Sequence, residues 1–169
     1  RGFDENDLPK DKEKRHLYEL GKQLFFDACY VEIGMDHFAL PTDSLYKAMK
    51  EHKLHRNFMG YTAGKTELMV GLGMSSISDS WYAFAQNEKS VEAYTKRVNE
   101  GRLPIFRGHL LSPTDLVVRK HILNLMCHLE TEWNVGLTES QKAGILSRLD
   151  EMFEDDLIES SGNKLIVKE

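Results

Sequence analysis

The sequence is poor in features that define several special classes of protein. It has only two cysteines, Cys29 and Cys127, in 169 residues. Because the two are far apart, the sequence predicts no zinc site or iron–sulfur cluster within this chain, and reduced, mostly buried thiols are expected. No apolar run approaches the roughly 20 residues that cross a bilayer, and the acidic N-terminus lacks the apolar centre of a secretory signal.

An excess of positive charge is also absent. The formal net charge is -5, while hydrophobic and charged residues make up 41% and 29% of the chain, as in globular proteins. Affinity for nucleic acids and anionic membranes comes from surplus lysine and arginine. The composition therefore predicts a protein with neither kind of partner. The missing initiator methionine suggests a piece of a longer chain.

The first half of the chain predicts a helix, a strand and a glycine-rich segment. Apolar residues at helical spacing run from Leu8 to about Ala28 (Leu17, Leu20, Leu24 and Ala28), and a β-rich run at 30–33 follows. A polar segment at 35–38 and a short helix to about residue 52 complete an apparent α/β unit. Residues 54–80 are rich in glycine, which predicts buried strands at 68–70 and 74–78 and a close approach to the backbone.

The second half predicts helices followed by a hairpin. A helix is expected from Ser90 to about residue 100, and an extended segment at 104–111. Ser112 and Pro113 indicate the start of a helix to about residue 132, with Val118, Ile122, Leu125 and Leu129 on its apolar face. A capping box at 138–141 opens another helix, whose stripe is Ile145, Leu149, Met152 and Phe153. With a terminal hairpin, these elements predict a winged-helix-like module.

Four segments carry a family resemblance when they are taken together. They are Gly-Met-Asp-His-Phe-Ala at 34–39, Leu-His-Arg-Asn-Phe-Met-Gly-Tyr-Thr at 54–62, Gly-Leu-Gly-Met-Ser-Ser-Ile-Ser at 71–78 and Phe-Ala-Gln-Asn at 84–87. Each is a weak signal alone. In this order and at these distances they resemble the oxygen-independent coproporphyrinogen III oxidases of the radical-SAM group.

The resemblance implies a fold and a reaction. It implies an α/β fold (α+β as a fragment): the last βα units of a partial TIM-like barrel over 1–87, then a mainly helical, winged-helix-like module over 88–169. Family members decarboxylate two propionates of coproporphyrinogen III oxidatively to vinyl groups, giving protoporphyrinogen IX in haem biosynthesis in the cytoplasm. They use S-adenosylmethionine, a 4Fe–4S cluster and an electron donor. Since the cysteine motif for the cluster is absent here, this piece alone is expected to be inactive.

The resemblance also assigns a cofactor site. It implies that Phe58, Met59 and Ile77 contact a second S-adenosylmethionine. Met59 stands where the family has glutamine, so any hydrogen bond from that amide is lost. The residues by themselves leave open that Phe58 and Ile77 only form core. A group of aromatic residues could stack on a tetrapyrrole, or could only pack in the core. These residues are Trp81, Tyr82 and Phe84.

Charged and polar residues supply candidates for the substrate and for proton transfer. His55, Arg56 and Arg107 are candidate partners of the substrate carboxylates, because arginine forms paired hydrogen bonds with a carboxylate. Asp36 and His37 follow a predicted strand, where barrel enzymes display catalytic groups, so they are catalytic candidates. Ordinary salt bridges, or a structural role in the loop, remain the alternatives for each residue.

Parts of the sequence are also compatible with two other functions. The first is a haem-binding chaperone of the related radical-SAM group. Its members carry His-Asn-x-x-Tyr-Trp where this chain has residues 55–58, and no tryptophan follows here. The second is a nucleic-acid-binding winged helix. The acidic stretch at 150–156 would repel phosphate, which disfavours that alternative.

Overall fold

The structure of the protein, a computed structural model, describes residues 4, 7–133 and 136–168. Within these residues the chain forms six α-helices and ten β-strands. The helices are α1 (Asp11–Asp27), α2 (Ser44–Lys50), α3 (Val91–Asn99), α4 (Pro113–His128), α5 (Glu139–Leu146) and α6 (Asp150–Glu154). The strands are β1 (Val31–Gly34), β2 (His37–Ala39), β3 (His55–Asn57), β4 (Gly60–Thr62), β5 (Ile77–Asp79), β6 (Ala83–Asn87), β7 (Ile105–Leu110), β8 (Glu130–Glu132), β9 (Ile158–Ser161) and β10 (Lys164–Val167). The predicted mixture of helices and strands is confirmed.

The predicted helix starts at Ser90, Ser112 and Thr138 are confirmed, and each has a capping side chain. Ser90 Oγ accepts a hydrogen bond from the backbone N–H of Ala93 at the start of α3. Ser112 and Thr138 both form complete capping boxes at the starts of α4 and α5. These side chains satisfy backbone donors that the first turn of a helix leaves unpaired.

The predicted α/β unit after α1 is an antiparallel hairpin instead. Strand β1 pairs with β2, and Val31 lies opposite Ala39. Met35 adopts a left-handed φ of 52° between them, so the chain reverses within two residues. A link this short joins only antiparallel strands. Asp36 therefore lies in a hairpin turn and His37 begins the return strand, whereas the sequence predicted a loop at the end of a barrel strand.

The central sheet has the strand order β5-β6-β7, and its register places two rows of side chains on one face. Ile77 pairs with Gln86, and Gln86 pairs with Arg107. Two residues along each strand, Asp79, Phe84 and His109 form the second row. Residues directly opposite each other share a face of a sheet, and so do residues two apart along a strand. The predicted domain boundary at 87/88 falls between β6 and β7 of this sheet, and the division into two domains stays a prediction.

The prediction of buried strands at 68–70 and 74–78 is wrong. Leu68, Val70 and Met74 are exposed, and only the last part of the second segment belongs to β5. The expected close approach to glycine is present, but the chain itself makes it. A Cβ on Gly71 would lie 2.7 Å from the carbonyl oxygen of Ile77. The lack of a side chain at Gly71 thus allows the loop before β5 to pack closely against that strand.

The C-terminal module contains α4, β8, α5, α6, β9 and β10, with the strand order β8-β10-β9. Two helix predictions need correction. The helix from Ser112 ends at His128, because Leu129 takes a left-handed φ of 60° and the chain enters β8. The helix predicted after the capping box is two short helices, α5 and α6. Their predicted stripe still contributes Ile145, Leu149 and Phe153 to the core around Trp133, Ile158 and Leu165, but Met152 is exposed.

Two predicted apolar faces are buried less than expected. Residues Leu17, Leu20 and Leu24 of α1 are exposed, and no residue of that helix is buried. On α4, Leu125 of the predicted face packs against the C-terminal core, but Ile122 is exposed, as is Leu129 just after the helix. The buried residues of α4 are His121 and Cys127. In each helix, the face that packs against neighbouring elements differs from the face predicted from apolar spacing. The expectation of two buried cysteines is also wrong for Cys29, which is exposed.

The hairpins and helices α2 and α4 share one core. Its buried residues are Ile33, Ala39, Ala48, Leu54, Tyr61 and Cys127. Tyr61 donates a hydrogen bond from its hydroxyl to the carbonyl of Met126 near the end of α4, at 2.7 Å. This contact ties the β3–β4 hairpin to α4. Among the described residues, no helix is long and apolar enough to cross a membrane.

Candidate functional site

The β3–β4 hairpin presents an aromatic ring at its tip. Asn57 pairs with Gly60, so the tip consists of Phe58 and Met59. The Asn57 side chain accepts a hydrogen bond from the N–H of Met59 at 2.8 Å, and Gly60 takes a φ of 117° that other residues rarely adopt. This turn leaves Phe58 53% exposed and Met59 82% exposed. The hairpin thus holds two apolar side chains clear of the core.

Phe58 separates two neighbouring pockets. Its ring meets that of Phe84 edge-on, with 5.2 Å between the centroids, and both rings line both pockets. The smaller pocket, of about 320 Å³, lies on the central sheet and includes Ile77, Gln86 and Arg107. The larger pocket, of about 640 Å³, lies between that sheet and α4. Both volumes are in the range of pockets that hold small molecules.

The larger pocket combines apolar walls with charged groups at its edge. Its apolar lining comes from the tip of the hairpin, the central sheet and α4: Phe58, Phe84, Leu111, Val118, Ile122, Leu123 and Met126. Its two acids already have partners. Asp79 is paired with Arg119 at 2.6 Å, and Asp115 accepts hydrogen bonds from the backbone and hydroxyl of Ser112. These hydrogen bonds from Ser112 hold the pKa of Asp115 below its usual value.

Arg56 is the cation of this pocket that lacks an acidic partner within the described residues. Its Nη1 lies 3.7 Å from the sulfur of Met35, and its guanidinium lies 5.2 Å from the centroid of the Tyr61 ring. Neither contact neutralises the charge. The pocket therefore offers a guanidinium beside an apolar wall, an arrangement that suits an apolar ligand with a carboxylate.

The structure brings together only some of the residues predicted for the site. Phe58, Ile77 and Arg107 line the smaller pocket, and Arg56 joins Phe58 in the larger one. Met59 lines neither of these two pockets. The three residues that the sequence linked to substrate carboxylates are thus divided between different surfaces.

His55 lies apart from both pockets. It is buried on the other face of β3 from Arg56, in a small cavity shared with Lys65, Trp81 and Lys120. Burial, with smaller contributions from the cations Lys65 and Arg119, lowers the pKa of His55. The imidazole is therefore neutral at neutral pH and is poorly suited to binding a carboxylate.

Asp36 and His37 form a pair beside the β3–β4 hairpin. The Nδ1 atom of His37 lies 2.9 Å from Oδ1 of Asp36, and its ring meets the ring of Tyr61 edge-on. A Cβ at Gly60 would lie 3.1 Å from Nε2 of His37. The absent side chain of Gly60 therefore lets the imidazole approach the hairpin. Neither Asp36 nor His37 lines the two pockets described above.

The sequence did not reveal the Asp79–Arg119 pair. Arg119 Nη2 contacts Asp79 Oδ2 at 2.6 Å, Nη1 donates to the carbonyl of Trp81, and the guanidinium lies 4.4 Å from the Trp81 ring centroid. Lys65 contacts the same ring at 4.5 Å. Trp81 thus packs against two cations. The sequence indicated this pair only through the position of Arg119, which directly follows Val118 of the predicted apolar face of α4.

Comparisons with known proteins agree with the resemblance seen in the sequence. The chain is 42% identical to the anaerobic coproporphyrinogen III oxidase 1 of Cereibacter sphaeroides over 125 residues, which cover 74% of this chain and 28% of that protein. It is 36% identical to the oxygen-independent coproporphyrinogen III oxidase of Synechocystis over 173 aligned positions, which cover 96% of this chain and 37% of that protein. No protein-family model matches the chain.

A solved structure supports the same relationship. The coproporphyrinogen III oxidase of Escherichia coli, described as a radical SAM enzyme, superposes with a TM-score of 0.87 at 30% identity, over 98% of this chain and 40% of that one. The chain is homologous to a segment of oxygen-independent coproporphyrinogen III oxidase. Its fold is that of the matching part of the Escherichia coli enzyme. It spans about a third of the length of the curated oxidases named above.

The described residues of this chain do not fit an iron–sulfur cluster. Such a cluster is held by several cysteine thiolates, and the chain has two cysteines. Cys29 is exposed, whereas Cys127 is buried and burial raises the pKa of its thiol to about 11. No group of three or more histidine, cysteine or acidic side chains in the described part could hold a metal ion. The residues do fit a small organic ligand, for which the two pockets offer apolar walls and arginine.

Proposed function

We propose that this chain is part of an oxygen-independent coproporphyrinogen III oxidase, which converts two propionates of coproporphyrinogen III to vinyl groups in haem biosynthesis. The names of its relatives and the superposition on the Escherichia coli enzyme support the proposal. The observation that carries it is the aromatic tip Phe58 between two pockets, each with an arginine that has no acidic partner among the described residues. The proposal includes a cytoplasmic location and an external electron donor, and no nucleic acid or membrane partner.

The smaller pocket is the proposed site of the second S-adenosylmethionine. When bound, this cofactor, together with an iron–sulfur cluster, supplies radical oxidation chemistry to the enzyme. Phe58 and Ile77 would flank the adenosyl group, since aromatic and branched side chains pack well against a purine. Met59 would contribute through its backbone or thioether at the mouth of the site. The role of these residues is to bind and orient the cofactor, and the Asn57 turn keeps the hairpin in place for it.

The larger pocket is the proposed site for part of the tetrapyrrole substrate. Its walls along α4 would cover an apolar ring, and Arg56 would pair with a propionate carboxylate. Asp36 and His37 remain candidates for proton transfer, and their 2.9 Å contact would hold the imidazole in one orientation. Because His55 is buried away from this pocket, we propose a structural role for it and no contact with substrate.

The proposal is tested with the full-length protein under anaerobic conditions. After iron and sulfide are supplied, the protein is incubated with coproporphyrinogen III, S-adenosylmethionine and a reductant, and the porphyrinogen products are separated. We expect the divinyl product and 5′-deoxyadenosine. Arg56→Gln should raise KM for the substrate about tenfold or more, since a hydrogen bond to a charged group contributes about 1.5–3 kcal/mol.

A matched control removes an arginine elsewhere on the surface. Arg102 is exposed and pairs with Glu100 at 3.0 Å, outside both pockets, so Arg102→Gln should leave KM unchanged. Cluster assembly without product, accompanied by tight binding of haem, would reject the oxidase and favour the chaperone alternative.

A further inference from the structure

Two residues of the central sheet that line the smaller pocket, Gln86 and Arg107, are joined by a hydrogen bond. The backbone carbonyl of Ser75 accepts a hydrogen bond from Nε2 of Gln86 at 3.3 Å, and Oε1 of Gln86 accepts one from Nε of Arg107 at 3.0 Å. The first contact fixes which end of the amide faces Arg107. Gln86 can therefore act only as an acceptor toward the guanidinium, and it holds that group by a single nitrogen.

This arrangement leaves the outer edge of the guanidinium open. Arg107 lies on β7, an edge strand of the sheet, and both of its Nη groups are without a partner among the described residues. Two parallel N–H groups at the end of a fixed arginine match the two oxygens of a carboxylate. The described lining of this pocket contains no aspartate or glutamate that would occupy or repel such a group.

The strand register places this guanidinium in line with the proposed adenosyl contacts. Ile77, Gln86 and Arg107 are direct cross-strand neighbours, so their side chains follow one another across a single face. Phe58 lines the same pocket from the hairpin and packs edge-on against Phe84 of the middle strand. A ligand lying along the row would therefore meet Ile77 at one end and a guanidinium at the other, with the Phe58 ring beside it, and S-adenosylmethionine has a nucleoside and a carboxylate at its two ends.

We propose that Arg107, held in place by Gln86, binds the carboxylate at the amino-acid end of the second S-adenosylmethionine. The inference rests on the proposed function and deepens it. It reassigns Arg107, which the sequence linked to a substrate carboxylate, because the structure places Arg107 in the pocket of Phe58 and Ile77 and not in that of Arg56. Arg107 becomes a binding residue for the cofactor, and Gln86 a positioning residue that acts through it.

The test measures cofactor binding directly and does not depend on turnover. Equilibrium dialysis of the full-length, cluster-loaded protein under anaerobic conditions gives the number of sites and the Kd for radiolabelled S-adenosylmethionine. The same measurement uses decarboxylated S-adenosylmethionine, which keeps the adenosine and sulfonium but lacks the carboxylate. The variants are Arg107→Gln and Gln86→Leu, with Arg102→Gln as the control for loss of an exposed arginine.

We expect Arg107→Gln to weaken one S-adenosylmethionine site about tenfold or more, the effect of losing a charged hydrogen-bonded pair. Binding of the decarboxylated compound should be unchanged. Gln86→Leu should show a smaller loss in the same direction, and Arg102→Gln none. Because Arg107 is exposed, the substitution should not prevent folding, and circular dichroism would verify this.

Three results would overturn the inference. The first is an equal loss for both compounds in Arg107→Gln, and the second is no loss for either. The third is an unchanged Kd for S-adenosylmethionine with a raised KM for coproporphyrinogen III, which would return Arg107 to a substrate propionate. In all three cases, formation of the divinyl product by the wild-type protein would leave the proposed function standing, so the two proposals fail separately.

Discussion

Replacing Arg119 by methionine is expected to lower the free energy of unfolding by about 3–5 kcal/mol, the usual effect of removing one partner of a buried ion pair. The side chains of Arg119 and Asp79 are only 13% and 9% exposed, and their charged atoms lie 2.6 Å apart. Methionine fills much of the same volume. The main consequence is therefore an uncompensated carboxylate on Asp79, because the aliphatic packing against Trp81 and Phe84 is largely kept.

The carboxylate of Asp79 also accepts a backbone hydrogen bond. The contribution of its charge to stability can therefore be separated from the contribution of that hydrogen bond. Its Oδ1 accepts a hydrogen bond from the N–H of Trp81 at 2.9 Å, and Trp81 takes a left-handed φ of 66°. Asp79→Asn keeps an acceptor for that N–H but removes the charge, whereas Asp79→Leu removes both. The double variant Asp79→Leu/Arg119→Met replaces the pair with apolar groups and should be less destabilised than the sum of its single variants.

Urea unfolding followed by circular dichroism measures these differences, provided that the slope of unfolding free energy against urea is the same for all variants. The matched control is Arg102→Met, which breaks an ion pair at 3.0 Å whose side chains are 60% and 39% exposed. Exposed pairs contribute about 0–1 kcal/mol. A loss of under 1 kcal/mol in Arg119→Met, no larger than in the control, would refute the view that this pair fastens the central sheet to α4.

Three further predictions concern the cysteines and a glycine. At pH 8 a thiol reagent should label exposed Cys29 at once and buried Cys127 only after unfolding; two rapidly labelled thiols in the native protein would contradict this. Because burial raises the pKa of Cys127 to about 11, from an ordinary value of 9.0, its thiol contributes stability that is fully present below about pH 9 and is lost toward pH 11. The urea midpoint should fall over this range, and less so in Cys127→Ala. Gly71→Ala should destabilise the protein by about 1–3 kcal/mol in urea unfolding, since the new Cβ would meet the Ile77 carbonyl, whereas Gly64→Ala, with open space around it, should change stability by less than about 0.5 kcal/mol; similar losses in both would rule out the steric explanation.

Features decided by neighbouring residues could be predicted well from the sequence. The helix starts at Ser90, Ser112 and Thr138 depend on hydrogen bonds to N–H groups within three residues, so the local pattern contains the whole interaction. The terminal hairpin was predicted for a similar reason, because its two strands are joined by a short turn at Gly162. Family resemblance added the location of Phe58 and Ile77, which do line one pocket.

Features decided by distant residues were missed or misread. Asp79 and Arg119 are 40 positions apart, and no periodicity links them. The apolar face predicted for α4 assumed a single partner surface, yet this helix packs in two directions. Cys127 faces the core of the hairpins, whereas His121 faces β8, with its Nδ1 2.8 Å from the hydroxyl of Thr131. Which side chains of α4 are buried therefore depends on where the hairpins and β8 lie in the folded protein, and helical spacing alone does not contain this information.

The ring of Phe58 has a thermodynamic consequence because it is a wall of both pockets. A ligand that displaces the ring on entering one pocket changes the shape of the other, so the two binding equilibria are coupled through one side chain. Such coupling is reciprocal: whatever factor the first ligand applies to the affinity of the second, the second applies to the first. The Phe58 ring is 53% exposed and packs edge-on against Phe84, so a change in its orientation would make the occupancy of one pocket depend on the occupancy of its neighbour.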